Sequence, residues 1–267
     1  MSRPDAIARA AARVRELATT YEPPDFAHVP DPDAALFLCA IDHRTGYRSE
    51  HLVDGRGPFE GSELLWELGM RSARRRPGLL TAGSLAEIGA EEVAEVFRID
   101  AETVADPDRR AELWRDLAAG LAREYAGSAT ELLAASGERL RGGGGLLARL
   151  RGFEAYSDPL AKKSFLFAKI AERRGWLRVT DPEAWEVCAD NVLMRLALRS
   201  GLVAPGDLNT VRAATREAFK RLAVEARISP PVLDDLLWEL GRHDPDLLGS
   251  RADQLQEPPR DPASAWY

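Results

Sequence analysis

The sequence predicts a mainly α-helical protein, and three observations support this fold class. Apolar residues recur at helical spacing along most of the 267 residues. Only "LFLCAI" and "RSEHLVD" have strand character. Hydrophobic residues make up 45% and charged residues 30%, which is typical of a soluble globular chain. We therefore expect one helical domain over 1–267, with at most a short β-hairpin. It would comprise an N-terminal helix and proline-rich loop (1–33), a helical core (34–252) and an extended tail (253–267).

The first third of the chain alternates helical patterns with breaks. "PDAIARAAARVRELATTY" predicts a helix whose apolar stripe includes Ala11 and Val14. "ALFLCAIDH" is short and fully apolar, so periodicity alone allows either a buried helical turn or a strand. "RSEHLVD" alternates like a hairpin edge, and "DGRG" would be its turn. "FEGSELLWELGMRSARRR" returns to helical spacing.

Capping signals place the ends of the later helices. Ser84 with Glu87 predicts a capping box, and Gly89 precedes another short helix. "DPDRRAELWRDLAAGLAREY" predicts a longer amphipathic helix. Asp158-Pro159 is expected to cap and begin the helix in "DPLAKKSFLFAKIAERRGW". Three helices follow, in "NVLMRLALR", "LNTVRAATREAFKRLAVEAR" and "SPPVLDDLLWELGR", the last capped by Ser229. "RGGGG" at 141–145 lacks the context of a phosphate-binding loop and predicts a flexible connection.

Charge and residue counts exclude several classes of protein. The net charge of -7 argues against a surface that binds nucleic-acid phosphates stably. Two cysteines are too few for a disulfide framework and predict reduced core thiols. The four histidines lack the spacing of a metal site, so we expect no bound metal. No stretch is long and apolar enough for a signal peptide or a membrane span, which predicts a cytoplasmic protein.

Two polar features have both a structural and a functional interpretation. Lys162, Lys163 and Lys169 share a helix with phenylalanines; the simpler view is that their stems cover apolar surface while their ammonium groups reach water. Alternatively, one lysine enters a pocket and holds a phosphate. Asp190 precedes "NVLMRLALR" as a helix N-cap. A carboxylate in that position stays anionic, which is also the state that stabilises an oxocarbenium ion.

Several stretches, taken together in order, resemble the queuosine 5'-phosphate N-glycosylase/hydrolases, the queuosine salvage family linked to tRNA modification. The resemblance runs from about residue 36 to the C-terminus. It is carried by "FEGSELLWELGMRSARRRPGLLT", "SLAEIGAEEVAEVFRID", "AELWRDLAAGLAREYAGSATELLAASG", "KKSFLFAKIA", "CADNVLM" and "LDDLLWELGRHD". The resemblance implies a helical fold related to helix-hairpin-helix DNA glycosylases. It also implies hydrolysis of the bond between ribose and a 7-deazaguanine base without a cofactor.

The resemblance also implies roles for individual residues. Asp190 takes the position of the catalytic aspartate, and Asp42 with His43 would contact the base. Lys169 and Arg212 would contact sugar or phosphate. The substrate site would also include Asn191, Asp234 and Trp238, the last two as support for the pocket rather than for the chemistry. The partner would be a small nucleoside or nucleotide.

Three departures from the family pattern bear on the substrate. "HRTGY" replaces an aromatic stretch after Asp42, Ser62 replaces an aromatic residue, and Asn191 replaces a tyrosine. Because aromatic rings stack on bases, these changes favour a divergent relative that acts on another glycoside or has lost activity. Two alternatives remain: a non-catalytic protein that binds a nucleotide or metabolite on this scaffold, and a DNA glycosylase in which Lys163 or Lys169 forms a Schiff base.

Overall fold

The computed structural model describes residues 3–251, 257–261 and 264–266, and it confirms the mainly helical fold class. The helices of the described residues are α1 (Arg3–Ala18), α2 (Pro32–Ile41), α3 (Gly61–Arg75), α4 (Ala82–Leu85), α5 (Ala90–Val96), α6 (Pro107–Glu124), α7 (Ala129–Ala135), α8 (Leu146–Leu150), α9 (Lys162–Arg173), α10 (Asn191–Arg199), α11 (Leu208–Ala226) and α12 (Pro230–Gly241). Two 3-10 helices, Glu154–Tyr156 and Pro182–Ala184, connect them.

Strand structure in the described residues is limited to isolated antiparallel bridges. The predicted hairpin turn is present, since Val53 and Arg56 exchange both backbone hydrogen bonds. Asp54 and Gly55 between them both have positive φ, as a type I′ turn requires. "LFLCAI", which periodicity left open, is helical and belongs to α2.

The chain divides into two compact units. The first unit comprises Met1–Asp25 and Pro182–Ser264, and the second comprises Phe26–Asp181 and Ala265–Tyr267. The predicted division into an N-terminal segment, a core and a tail has different boundaries and stays a prediction.

The first unit is a bundle of α1, α10, α11 and α12. The helix α1 packs against α11 and α12, and α10 packs against the same two helices. The predicted stripe of α1 is confirmed at Ala11 and Val14, which are fully buried in this core. Phe219 of α11 and Leu236 of α12 are also fully buried there. The helix α10 is therefore held in the bundle by α11 and α12.

The second unit is built around α2. Every residue of α2 from Ala34 to Ile41 is buried, and the helix packs against α3, α6, α7 and α9. Gly120 in α6 has a packing role, because a Cβ atom at this position would lie 2.4 Å from the Phe153 ring. A helix with no solvent-exposed face must have its end groups satisfied by other parts of the protein.

Most helix ends follow the local signals, with two corrections. Thr81, not Ser84, is the N-cap of α4, and its hydroxyl accepts the Ser84 N–H. The helix α9 begins at Lys162 rather than at Pro159. Asp158 lies before that start, where its carboxylate accepts the backbone N–H groups of Leu160 and Lys162. A carboxylate that accepts N–H groups ahead of a helix imitates a cap, which explains the misplaced start.

The glycine-rich segment 141–145 is held by specific hydrogen bonds. The Asp181 carboxylate accepts the consecutive N–H groups of Leu140 and Arg141, at 2.8 and 3.0 Å. The Arg149 guanidinium donates to the carbonyl of Gly144 at 2.8 Å. The segment is thus a defined turn between α7 and α8.

The predicted tail lies partly outside the described residues, which omit 252–256, 262, 263 and 267. Within the second unit, the indole N–H of Trp266 donates to the Ser157 hydroxyl at 3.3 Å. None of the described helices combines the length and the apolarity that crossing a membrane requires.

Candidate functional site

Asp190 is the N-cap of α10, as its sequence context predicts. Its backbone is extended, and Oδ1 accepts the Leu193 N–H at 3.0 Å. The residue is half-buried, in contrast to the fully buried Leu193 and Met194 that follow it. The carboxylate is therefore oriented by the helix N-terminus, whose partial positive charge favours an anion.

Two predicted site residues hold the backbone that leads to Asp190. The Oδ1 atom of Asp234, on α12, accepts the Cys188 N–H at 2.6 Å. The Nε atom of Arg212, on α11, donates to the Ala189 carbonyl over a longer 3.5 Å. Asp234 is 4% exposed and Arg212 is 2% exposed. Both side chains therefore act from inside the first unit on the residues just before the catalytic candidate.

Asn191 and Trp238 complete the predicted group in the first unit. The Asn191 Oδ1 atom is buried and has no hydrogen-bond partner among the described residues. Trp238 is half-buried, packs against the core and lies one turn from Asp234 on α12. The Arg242 guanidinium covers its ring at 4.7 Å from the centroid. This ring thus already has a cationic stacking partner.

In the second unit, Asp42 follows α2 and is anchored through one oxygen. Its Oδ2 atom accepts the Ser62 hydroxyl at 2.8 Å and the Trp66 indole N–H at 3.3 Å. Its Oδ1 atom accepts from no donor among the described residues. Asp42 is 5% exposed. A carboxylate fixed in this way presents its second oxygen as an oriented hydrogen-bond acceptor.

Buried cations donate to the carbonyls at the C-terminal end of α2. Lys163 donates to Ala40, and Arg110 donates to Ile41. Beyond the helix, Arg110 also donates to His43 at 2.6 Å, and Lys162 donates to the Asp42 carbonyl at 3.1 Å. Because the last carbonyls of a helix have no partners within it and carry partial negative charge, cationic donors stabilise them.

The prediction that the lysines of "AKKSFLFAKIA" reach water is wrong. Lys162, Lys163 and Lys169 are 8%, 0% and 4% exposed. Lys162 and Lys163 are drawn inward by the carbonyls they bind, an interaction that helical periodicity does not reveal. Burial raises the pKa of the Cys39 thiol well above its usual value. The charge of Lys169 acts in the opposite direction, so this lysine lies near Cys39.

His43 and Lys163 are buried as a pair and both have lowered pKa values. The His43 Nδ1 atom lies 3.2 Å from the Lys163 Nζ atom. Burial, followed by the charges of Lys163 and Arg110, lowers the pKa of His43 far below its usual 6.5. Burial and the charge of Lys162 lower the pKa of Lys163 well below 10.5, and burial lowers that of Arg110 to about 10. The imidazole is therefore neutral at physiological pH.

The predicted residues thus form two groups, one in each unit. Asp190, Asn191, Arg212, Asp234 and Trp238 belong to the first unit, at the start of α10 and on α11 and α12. Asp42, His43 and Lys169 belong to the second unit, at the end of α2 and on α9. Their roles toward a substrate stay predictions.

Arg110 and the partners of Asp42 were not predicted from the sequence. Arg110 precedes Leu113, Trp114 and Leu117 at helical spacing, so a charge lies on the apolar stripe of α6. That position was a usable signal of a buried guanidinium. Ser62 stood out only as a departure from the family pattern, and the donation by Ser62 and Trp66 to one carboxylate had no local signal.

Comparisons with known proteins leave the family open. No protein-family model matches the sequence, and the search of curated proteins found no match. The resemblance to the queuosine salvage family therefore stays a prediction. Among the described residues, no group of three or more His, Cys, Asp or Glu side chains is placed to hold a metal ion.

Proposed function

We propose that the protein is an N-glycoside hydrolase that cleaves the base–ribose bond of a small purine or deazapurine nucleoside or nucleotide. A compound like queuosine 5'-phosphate is the first substrate to consider. The observation that carries the proposal is the Asp190 carboxylate, half-buried and oriented by the Leu193 N–H at the N-terminus of α10. The family resemblance supplies the reaction class.

In the proposed reaction, Asp190 acts on the sugar. As the C1'–N bond breaks, its electron pair leaves with the base, and positive charge develops on the ribose. The carboxylate stabilises that charge and orients a water molecule, whose oxygen bonds to C1'. The water gives up one proton to the Asp190 carboxylate, which releases it to solvent, and the departing base nitrogen takes up one proton from solvent. The products are the free base and ribose or its phosphate.

The other residues are assigned to binding. The Oδ1 atom of Asp42 has no donor among the described residues and suits an N–H group at the edge of a base. His43 would also contact the base.

The test compares Asp190→Asn with Asp207→Asn. Asp207 is a matched control, because it is also an N-cap aspartate, and its carboxylate accepts the Thr210 N–H of α11. Asparagine caps a helix about as well as aspartate, so both variants should stay folded. Purified proteins are incubated with queuosine 5'-phosphate and with purine and deazapurine nucleosides and nucleotides, and the free base is quantified by chromatography.

We expect the wild type and Asp207→Asn to release base at similar rates. Asp190→Asn should be slower by about 100- to 1,000-fold, the usual loss when one preorganised electrostatic group is removed. Release at the wild-type rate by Asp190→Asn would remove this residue from the mechanism. A wild type that releases no base from any compound would overturn the proposed activity.

A non-catalytic binding protein is the second possibility. It is favoured because the Ser62 and Trp66 donors both bind the same oxygen of the Asp42 carboxylate, Oδ2. That arrangement suits recognition of an N–H group whether or not any bond is broken. A ligand that binds only the native state raises the melting temperature. Nucleotide-dependent stabilisation without base release, abolished by Asp42→Asn, would favour this function.

The DNA glycosylase alternative has weaker support. A Schiff base needs an amine that reaches an abasic sugar, but Lys163 is fully buried and donates to the Ala40 carbonyl. Lys169 is 4% exposed. Borohydride trapping on duplex DNA that contains an abasic site tests the alternative directly, and we expect no covalent product.

A further inference from the structure

The residues just before Asp190 depend on side chains from distant helices. Cys188 and Ala189 lie between a 3-10 helix and α10, and Ala189 N–H bonds locally to the Val187 carbonyl at 3.1 Å. The Cys188 N–H is instead accepted by Asp234, 46 residues away. Irregular backbone with few local hydrogen bonds takes its position from such tertiary contacts.

We propose that Asp234 is a positioning residue for Asp190, not a substrate-binding residue. Its carboxylate fixes the Cys188 amide, and the buried Arg212 supports the next carbonyl. Together they set the direction in which the chain enters α10, and hence where the Asp190 carboxylate lies. The catalytic meaning of this position rests on the proposed function, whereas the positioning itself does not.

The strength of the contact supports this role. The bond from Cys188 to Asp234 is 2.6 Å long and has a carboxylate as acceptor, and such charge-assisted bonds are about twice as strong as neutral ones. Cys188 is 7% exposed and Ala189 is 2% exposed. Loss of the Asp234 carboxylate would remove this hydrogen bond from a buried N–H, and the segment would then move.

The test measures backbone hydrogen exchange in Asp234→Ala, Asp234→Asn and Asp207→Ala. The last variant is the matched control, because it also removes a carboxylate that accepts a backbone N–H in the first unit. We expect exchange of the Cys188 and Leu193 amides to quicken at least about tenfold in Asp234→Ala and to be unchanged in Asp207→Ala. Asp234→Asn, which keeps a carbonyl acceptor, should restore most of the protection.

If Asp234→Ala does not fold, Asp234→Asn carries the test, because a neutral acceptor should still quicken Cys188 exchange by a few-fold. Unchanged exchange at Cys188 and Leu193 in a folded Asp234 variant would overturn the inference, whatever the enzymatic result.

Kinetics separates positioning from substrate binding. If Asp234 positions Asp190, Asp234→Ala should lower kcat by about tenfold or more while leaving KM nearly unchanged. A rise in KM at constant kcat would mean that Asp234 binds substrate, and it would overturn the inference. A wild type without activity would remove the proposed function, but the exchange experiment would still decide whether Asp234 holds the Cys188 amide.

Discussion

Protonation of His43 is opposed by its surroundings. The cations that surround it are Lys163, Arg110, Lys162 and Arg44, and burial adds the largest effect. The neutral imidazole can accept a hydrogen bond from Lys163 at Nδ1, whereas a protonated ring could not. At low pH, protonation of His43 would therefore either place an additional charge inside the protein or require the local structure to open.

This environment predicts acid sensitivity that depends on one residue. The unfolded chain takes up a proton at His43 near pH 6.5, but the native state does not, so native stability is full above that pH and falls below it. Between about pH 7 and pH 5.5 the loss should be about 1 kcal/mol. Urea unfolding at both pH values should show this contribution in the wild type and not in His43→Asn, whose Oδ1 can still accept from Lys163. The same pH dependence in both proteins would contradict the assignment.

At the residue scale, the roles that depend on neighbouring residues in the chain could be predicted from the sequence. The N-cap role of Asp190 follows from the residues directly after it and is confirmed. The partners of Asp42 and the burial of Lys163 arise from contacts between residues 20 to 123 positions apart. No periodicity within one helix specifies such pairs, which is why the lysines were wrongly expected to reach water.

At the scale of elements, α2 shows how an apolar helix is completed by its neighbours. Besides the cations, the Trp114 indole N–H donates to the Phe37 carbonyl at 2.7 Å, and the Tyr156 hydroxyl donates to the Leu36 carbonyl at 2.6 Å. The donors come from α6, a 3-10 helix and α9. Polar contacts to the carbonyls of α2 thus join these elements to one another.

Arg110 is the donor whose loss should cost most, and Arg109 offers an adjacent control. Arg110→Leu would leave the carbonyls of Ile41, His43 and Ala105 without this donor inside the protein, at about 1–3 kcal/mol for each buried group. We expect more than about 3 kcal/mol of destabilisation. Arg109 makes surface ion pairs with Glu112 and Glu154, so Arg109→Leu should cost less than about 1 kcal/mol. Thermal and urea unfolding measure both, and equal losses would refute the role of Arg110.

The helices themselves were largely predictable, because their stripes, glycines and prolines are local signals. Ser229 before two prolines and Gly175 after α9 mark real ends. The predicted helix starts were wrong where a polar side chain could accept backbone N–H groups without being the N-cap, or where two residues could serve as the N-cap. Asp158 accepts N–H groups ahead of a helix without being its N-cap, and Thr81 competes with Ser84.

At the scale of the whole molecule, each of the two units contains one cysteine. Cys39 lies in α2 of the second unit and is 0% exposed, and Cys188 lies in the first unit and is 7% exposed. Neither forms a disulfide, as predicted. Burial raises the pKa of Cys39 well above its usual value, which lowers its thiolate fraction further.

We expect both thiols to resist alkylation in the native protein and to react after unfolding. Cys188 should react first, because its segment is irregular and opens by local fluctuation, whereas Cys39 needs opening of a buried helix. Mass spectrometry after timed alkylation of the Cys39→Ala and Cys188→Ala variants follows each thiol separately. Faster labelling of Cys39 than of Cys188 would contradict this order.

The dependence of α2 on distant donors also constrains how the chain folds during synthesis. The helix ends at Ile41, but the side chains that donate to its carbonyls are at positions 110, 114, 156 and 163. When α2 leaves the ribosome, none of these donors has yet been translated. This strongly apolar segment therefore remains without all of its side-chain donors, exposed or bound by a chaperone, until more than a hundred further residues have emerged.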